Sequence, residues 1–225
     1  MQDIHSHIIY GVDDGASSFQ ESIAMLNAAK QIGIDRIYAT PHIKSEDIDI
    51  GTIYERFAKL HEKAKTIGID LRLGFEYNFK AIDYDDFATA KDYALGGTDI
   101  LLLEMPFMQW PSYWQQTIYD LQSLGLQIII AHPERYLPIQ KDLGIIHSLA
   151  DMGCNFQCNA SSIINYNFER NKVVRCLLKM NRLDMIASDA HSVNEYALLD
   201  KAYDRMKKVI RFTNLERIVF ETGEY

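Results

Sequence analysis

Nitrogen and oxygen donors recur at comparable places along this 225-residue sequence. Five of its seven histidines, His5, His7, His42, His132 and His191, stand at or just beyond short apolar stretches that read as β-strands. Asp14, Glu76, Glu104 and Asp189 sit at strand ends too, or in the loops that follow them. His5 and His7 are two apart, and side chains alternate across a strand, so both imidazoles point to one side. Mixed imidazole and carboxylate donors without a thiolate suit manganese, iron or zinc, and a set this dense can hold more than one ion. Glu76 and Asp189 are the better bridging candidates, because a carboxylate has two oxygens to share. A centre of this kind turns bound water into hydroxide near neutral pH and clamps phosphoryl oxygens during in-line displacement. Arg135, three residues beyond His132, is able to fork onto two phosphate oxygens and offset transition-state charge.

Other reactive residues carry less. His61 and His147 fall within helical stretches and read as structural or surface residues. Cys176 and Arg182 satisfy a bare C-x5-R spacing, but the five residues between them contain no glycine and continue an amphipathic pattern through Val173, Val174, Leu177 and Leu178. A phosphate cradle needs inward-turned N–H groups at a helix start. Cys154 and Cys158 read as core residues, while Asn159 and Ser161 are either supporting donors or turn residues. The aromatic loop with Phe107, Trp110, Tyr113 and Trp114 suits a wall for an aromatic substrate group, for which Phe107 and Trp110 are chosen; a subunit contact or a barrel cap is the bland alternative.

The elements that must position these side chains follow from periodicity and punctuation. Strands are expected at residues 2–7, 34–40, 69–75, 99–103, 127–131, 155–159 and 185–188. Helices are expected between them: from Ser17 or Ser18 to near Gly33, then 54–67, a weaker one at 83–93, 113–124, 143–152 and 163–180. Two closing helices are expected at 195–209 and 214–221. Pro41 disfavours helical angles at Thr40 and leaves His42 at a strand's C-terminal end. Seven strands, each followed by a helix, imply a single-domain α/β protein, either a parallel β/α barrel or an open parallel sheet. In both, chemistry gathers at the C-terminal strand ends, where these donors fall.

Composition narrows the classes. Hydrophobic residues make up 48% and charged residues 24%, an ordinary globular balance. A formal charge of −8 without a basic run argues against capture of a nucleic-acid backbone. No charged-then-apolar leader and no apolar run near ~20 residues is visible, so membrane insertion is not expected. Three cysteines without paired zinc-type spacing fit a reducing cytoplasm.

The segments His5-Ser6-His7, Gly11-Val12-Asp13-Asp14-Gly15, Ala39-Thr40-Pro41-His42, Gly74-Phe75-Glu76-Tyr77, Leu103-Glu104-Met105-Pro106, Ala131-His132-Pro133-Glu134-Arg135-Tyr136 and Ser188-Asp189-Ala190-His191 occur in order. Together they resemble the PHP (polymerase and histidinol phosphatase) superfamily. Within it they resemble the bacterial manganese-dependent tyrosine-protein phosphatases encoded with capsule and exopolysaccharide genes. The likeness spans nearly the whole chain, and His-Pro-Glu-Arg and Val-Asp-Asp-Gly are its most specific pieces.

That resemblance implies a distorted (β/α)7 TIM-like barrel, the PHP fold, over residues 1–225. It implies two or three ions, Mn2+ first, with Fe, Co, Mg or Zn as alternatives. By position, His5, His7, Glu76 and Asp189 would hold one ion; Glu76, Glu104 and His132 a second; Asp14, His42 and His191 a third. Asp13 is adjacent to Asp14, and the sequence does not decide between them; Asp14 is chosen. Arg135 would stabilise the phosphate. The implied substrate is phosphotyrosine on a bacterial tyrosine autokinase, and a homo-oligomer is compatible with the pattern. Several relatives carry a second arginine shortly after Asp-x-His. Residues 192–197 have none here, which leaves phosphate contact at that place to another group or weakens it. Competing expectations are a histidinol-phosphatase-like small-molecule phosphoesterase, a nuclease of the same superfamily, and a non-catalytic regulator that binds the kinase.

Overall fold

The computed structural model describes residues 1–44, 49–83 and 87–207. Short strands form its inner wall: β1 (Gln2–Ser6), β2 (Arg36–Ala39), β3 (His42–Ile43), β4 (Asp70–Leu73), β5 (Glu76–Asn78), β6 (Ile100–Glu104), β7 (Gln127–Ala131), β8 (Asn155–Asn159) and β9 (Met185–Ala187). All pairs are parallel, in the orders β1-β2-β4 and β3-β5-β6-β7-β8-β9. The wall closes where β9 meets β1. Asp189 N–H donates to His5 O and His7 N–H donates to Ala190 O, both at 2.9 Å. Asp3 fastens the same seam, accepting from Ser188 N–H at 2.9 Å and from the Ser188 hydroxyl.

Two of the seven expected strands stop short and are each followed, beyond the expected end, by a further short strand. The second stops at Ala39 and resumes at His42, because Pro41 has no N–H to give a ladder. The third stops at Leu73 and resumes at Glu76. There Gly74 lies against Leu95, where a Cβ would come within 2.9 Å of the Leu95 Cα. Gly96 N–H takes the Leu73 carbonyl at 2.7 Å. The result is the distorted, TIM-like β/α barrel that the family resemblance implied, and not the open sheet that periodicity also allowed.

Around the wall pack α1 (Phe19–Gln31), α2 (Ile50–Ile67), α3 (Trp114–Ser123), α4 (Leu137–Lys141), α5 (Gly144–Asp151), α6 (Ala160–Ile164), α7 (Phe168–Lys179) and α8 (Val193–Lys207). Helix α2 starts earlier than expected because Asp49 caps it, accepting from Thr52 N–H at 3.0 Å. The expected single helix at 163–180 is two, since Asn167 caps a fresh start at Arg170 N–H. The weak helix expected at 83–93 is 3-10 in form over Phe87–Tyr93, after a first 3-10 stretch at Phe79–Asp83. Helix α4 was not anticipated, and residues 214–221 lie outside those described. Along β6 and β7 alternate residues part company. Leu101, Leu103, Ile128 and Ile130 join the large core, while Leu102 and Ile129 join Tyr38 and Ala187 in a smaller cluster. That alternation packs one face under the helices and fills the barrel with the other.

Candidate metal centre

All nine predicted donors converge at one end of the barrel. Their atoms form four overlapping groups, each within 4.8 Å: His7, Asp14, His42 and His191; His5, His7 and Asp189; His5, Glu76 and His132; His42, Glu76 and Glu104. The third expected set is reproduced with His7 added. The first two are shared out differently, with Glu76 at their centre. Its carboxylate lies 2.8 Å from His132 Nε2, 2.6 Å from His42 Nδ1 and 3.5 Å from both His5 and His7 Nε2. Register explains part of this, since His42 and Glu76 are paired residues of β3 and β5.

Backbone geometry aims two of the donors. His132 and Asp189 take left-handed angles, φ 32° and 50°. Non-glycine residues hold such angles at a cost of about 1–3 kcal/mol each, typically at functional sites. Asp13 and Asp14 divide their work. Asp13 is nearly buried and accepts from His7 Nδ1 at 2.8 Å and from Gly15 N–H at 3.0 Å. Asp14 instead faces His42 Nε2 at 3.2 Å and His191 Nε2 at 3.5 Å, which favours it as the donor. His191 Nδ1 donates to the Asp189 carbonyl at 2.9 Å, leaving Nε2 turned toward Asp14.

The charged groups of the cluster act strongly on one another. Burial alone would lower the His5 imidazole, but the Glu76 and Asp189 carboxylates outweigh it and lift His5 to about 9. Burial would raise the Glu76 and Asp189 carboxyls, and the surrounding imidazoles hold both below the usual range instead. A cation fits these donors. His42 Nδ1 and Glu76 Oε2 are buried and 2.6 Å apart, an ion-pair distance at which the angles are not those of a hydrogen bond. Two buried polar atoms that face each other without such a bond are suited to a shared positive ion.

Arg135 reaches the same end, donating from Nη1 to Asp189 Oδ2 at 3.0 Å. Phe107 braces it: the guanidinium lies 4.8 Å from the ring centroid, and the ring stacks on His132 at 5.7 Å. Trp110 stands one ring further out, against Tyr136 and Trp114, with Nε1 donating to the Pro106 carbonyl at 2.8 Å. Arg205, the first arginine after Asp-x-His, donates to Ile163 O. The C-x5-R pair forms no cradle: Cys176 lies within α7, and Arg182 bonds the Cys154 carbonyl. His61 Nδ1 meets the Leu71 carbonyl, and His147 is exposed on α5. Sequence reasoning missed Gln157 and Asn78. Asn78 donates to Glu104 Oε2 at 2.6 Å, and Gln157 contacts His5 Nδ1 at 3.0 Å. A signal for Gln157 existed, because Asn155, Gln157 and Asn159 alternate with Phe156 and Cys158 and share one strand face.

A closed parallel barrel with an imidazole–carboxylate cage at its mouth defines the class, a TIM-like β/α protein with a candidate multinuclear centre. The chain belongs to the capsular polysaccharide synthesis family CpsB/CapC, whose model matches residues 1–224. Tyrosine-protein phosphatase YwqE of Bacillus subtilis (strain 168) is 33% identical over 199 residues, covering 86% of this chain and 78% of that protein. Tyrosine-protein phosphatase CpsB of Streptococcus pneumoniae is 29% identical over 222 residues, covering 92% and 90%. Crystal structures of YwqE from Bacillus subtilis and CpsB from Streptococcus pneumoniae, described as unique metal-dependent tyrosine phosphatases, include a chain matching this fold. Its TM-score is 0.80 at 30% identity, over 92% of this chain and 87% of that one.

Proposed function

We propose that this chain is a metal-dependent protein-tyrosine phosphatase of capsular or exopolysaccharide synthesis. The observation that carries the reading is the four overlapping donor groups with Arg135 at their edge, in a member of the CpsB/CapC family. His5, His7, Asp14, His42, Glu76, Glu104, His132, Asp189 and His191 are the ligands in this reading. Bound divalent cations would lower the pKa of water and neutralise phosphoryl oxygens. Arg135 orients the phosphoryl group and offsets its growing charge. Phe107 holds the guanidinium in place and, with Trp110 as an outer wall, lines the place for the substrate ring. Manganese is the preferred metal on the family resemblance described above; the nitrogen and oxygen donors suit it, as they do iron or zinc. The phosphoprotein is a bacterial tyrosine autokinase and the compartment is the cytoplasm. Three cysteines without paired spacing fit that compartment. Among the described residues no helix is long and apolar enough to cross a membrane.

The test is elemental analysis of purified protein beside phosphatase assays across metals. Chelation is expected to abolish hydrolysis of p-nitrophenyl phosphate and of a phosphotyrosyl peptide, and manganese to restore both. Activity indifferent to EDTA overturns the reading. Faster turnover of histidinol phosphate or DNA ends reassigns the substrate. Binding of a phosphorylated kinase tail without metal-dependent turnover marks a regulator.

A further inference from the structure

Two amides on β8 form a continuous line between two donors of the cage. Asp189 Oδ2 accepts from Asn159 Nδ2 at 2.6 Å, Asn159 Oδ1 accepts from Gln157 Nε2 at 2.9 Å, and Gln157 Oε1 meets His5 Nδ1 at 3.0 Å. His5 Nε2 then faces Asp189 Oδ1 at 3.3 Å, which closes the line into a ring. Gln157 is fully buried and Asn159 nearly so.

Each link has one direction. An ionised carboxylate only accepts, so Asn159 must turn its NH2 to Asp189 and its oxygen to Gln157. Gln157 must then give its NH2 to Asn159 and its oxygen to His5. A second contact gives the same orientation independently: the His132 backbone N–H, which can only donate, points at Gln157 Oε1 at 3.4 Å. An imidazole nitrogen facing that oxygen must carry a hydrogen. His5 is therefore the Nδ1–H form whenever it is neutral, and its lone pair lies on Nε2, toward the cage.

We infer that Gln157 and Asn159 are positioning residues that set the tautomer of His5 for metal binding. The relay rests on the metal reading above. His7 and His191 receive the same setting from Asp13 and from the Asp189 carbonyl, but for His5 the signal travels through two neutral side chains. The His5 and His7 Nε2 atoms stand 3.2 Å apart. With both lone pairs turned inward, they are placed to share a cation.

The experiment measures Mn2+ uptake by metal-free protein, with free Mn2+ followed by electron paramagnetic resonance. Gln157→Met keeps the length and removes the acceptor; Gln157→Glu keeps an acceptor for His5. The Met variant is expected to lose about 10–100-fold in affinity for at least one ion, the usual cost of removing an outer partner of a ligating histidine. The Glu variant is expected to bind within a few-fold of the unaltered chain or more tightly. Thermal unfolding of the metal-free forms separates folding defects from ligand orientation. Equal affinity in the Met variant and the unaltered chain, or equal loss in the Met and Glu variants at matched stability, overturns the relay. Absence of uptake by the unaltered chain overturns the metal reading and the relay together.

Discussion

Arg135 and Asp189 are bonded across the barrel mouth, Nη1 to Oδ2 at 3.0 Å, while the other Asp189 oxygen faces His5 and His7 at 3.3 Å each. One carboxylate thus aims the guanidinium at the place where the imidazoles converge. Arg135→Ala is expected to lower kcat on the order of a hundredfold with a smaller change in KM, as for a donor that meets mainly the transition state. Arg135→Lys should recover only part, because an ammonium lacks the fork. Steady-state kinetics with a phosphotyrosyl peptide check this; unchanged kcat would remove Arg135 from the chemistry.

Glu76 contacts four imidazoles, and its loss should disturb more of the cage than any other single change. Glu76→Gln is expected to lose at least one ion per chain and activity on the order of a thousandfold, since ions held there would supply both the activated water and the charge that offsets the phosphoryl oxygens. Plasma emission measurement of metal per chain reads the first effect. His147→Ala, on the exposed face of α5, serves as the unaffected control.

Burial pushes the Cys154 thiol up to about 12 and lifts Cys158 and Cys176 as well. At pH 8 about one Cys154 in ten thousand is then thiolate, and the nucleophilic form is scarce. Iodoacetamide at that pH should leave phosphatase activity intact, and Cys176→Ser should change it little. Alkylation that silences the protein in step with labelling of Cys176 would reinstate the cysteine route.

Gly15 follows the two acids and packs on His7; a Cβ there would meet the His7 carbonyl oxygen at 2.0 Å. Gly15→Ala must therefore displace the segment carrying Asp13 and Asp14. Overpacking of this kind costs about 1–3 kcal/mol. A lower Tm is expected together with weaker Mn2+ uptake. Normal uptake in the alanine variant would uncouple that segment from the cage.

The convergence of these residues was legible because each is a titratable residue at a strand end or in the loop that follows, and parallel β/α folds put such ends together. Asp14 over Asp13 was a choice, and its support comes from distances to His42 and His191 that adjacency in sequence hides. The breaks in the second and third strands were not equally legible. Pro41 signalled the first, but the second depends on Leu95 pressing on Gly74 from twenty-one residues away. Gln157 escaped because an amide carries no titratable signature, and its partner His5 is 152 residues distant.

Those two breaks leave the barrel wall as separate sheets, and the cage spans both: His5 belongs to the three-stranded sheet, His42, Glu76 and Glu104 to the six-stranded one. An ion held between them is a clasp on the architecture as well as a reagent. Its binding free energy adds to the folding free energy by mass action, about 2.7 kcal/mol at a hundredfold excess over Kd. Metal supply would then govern how much of this protein endures, along with how fast it works.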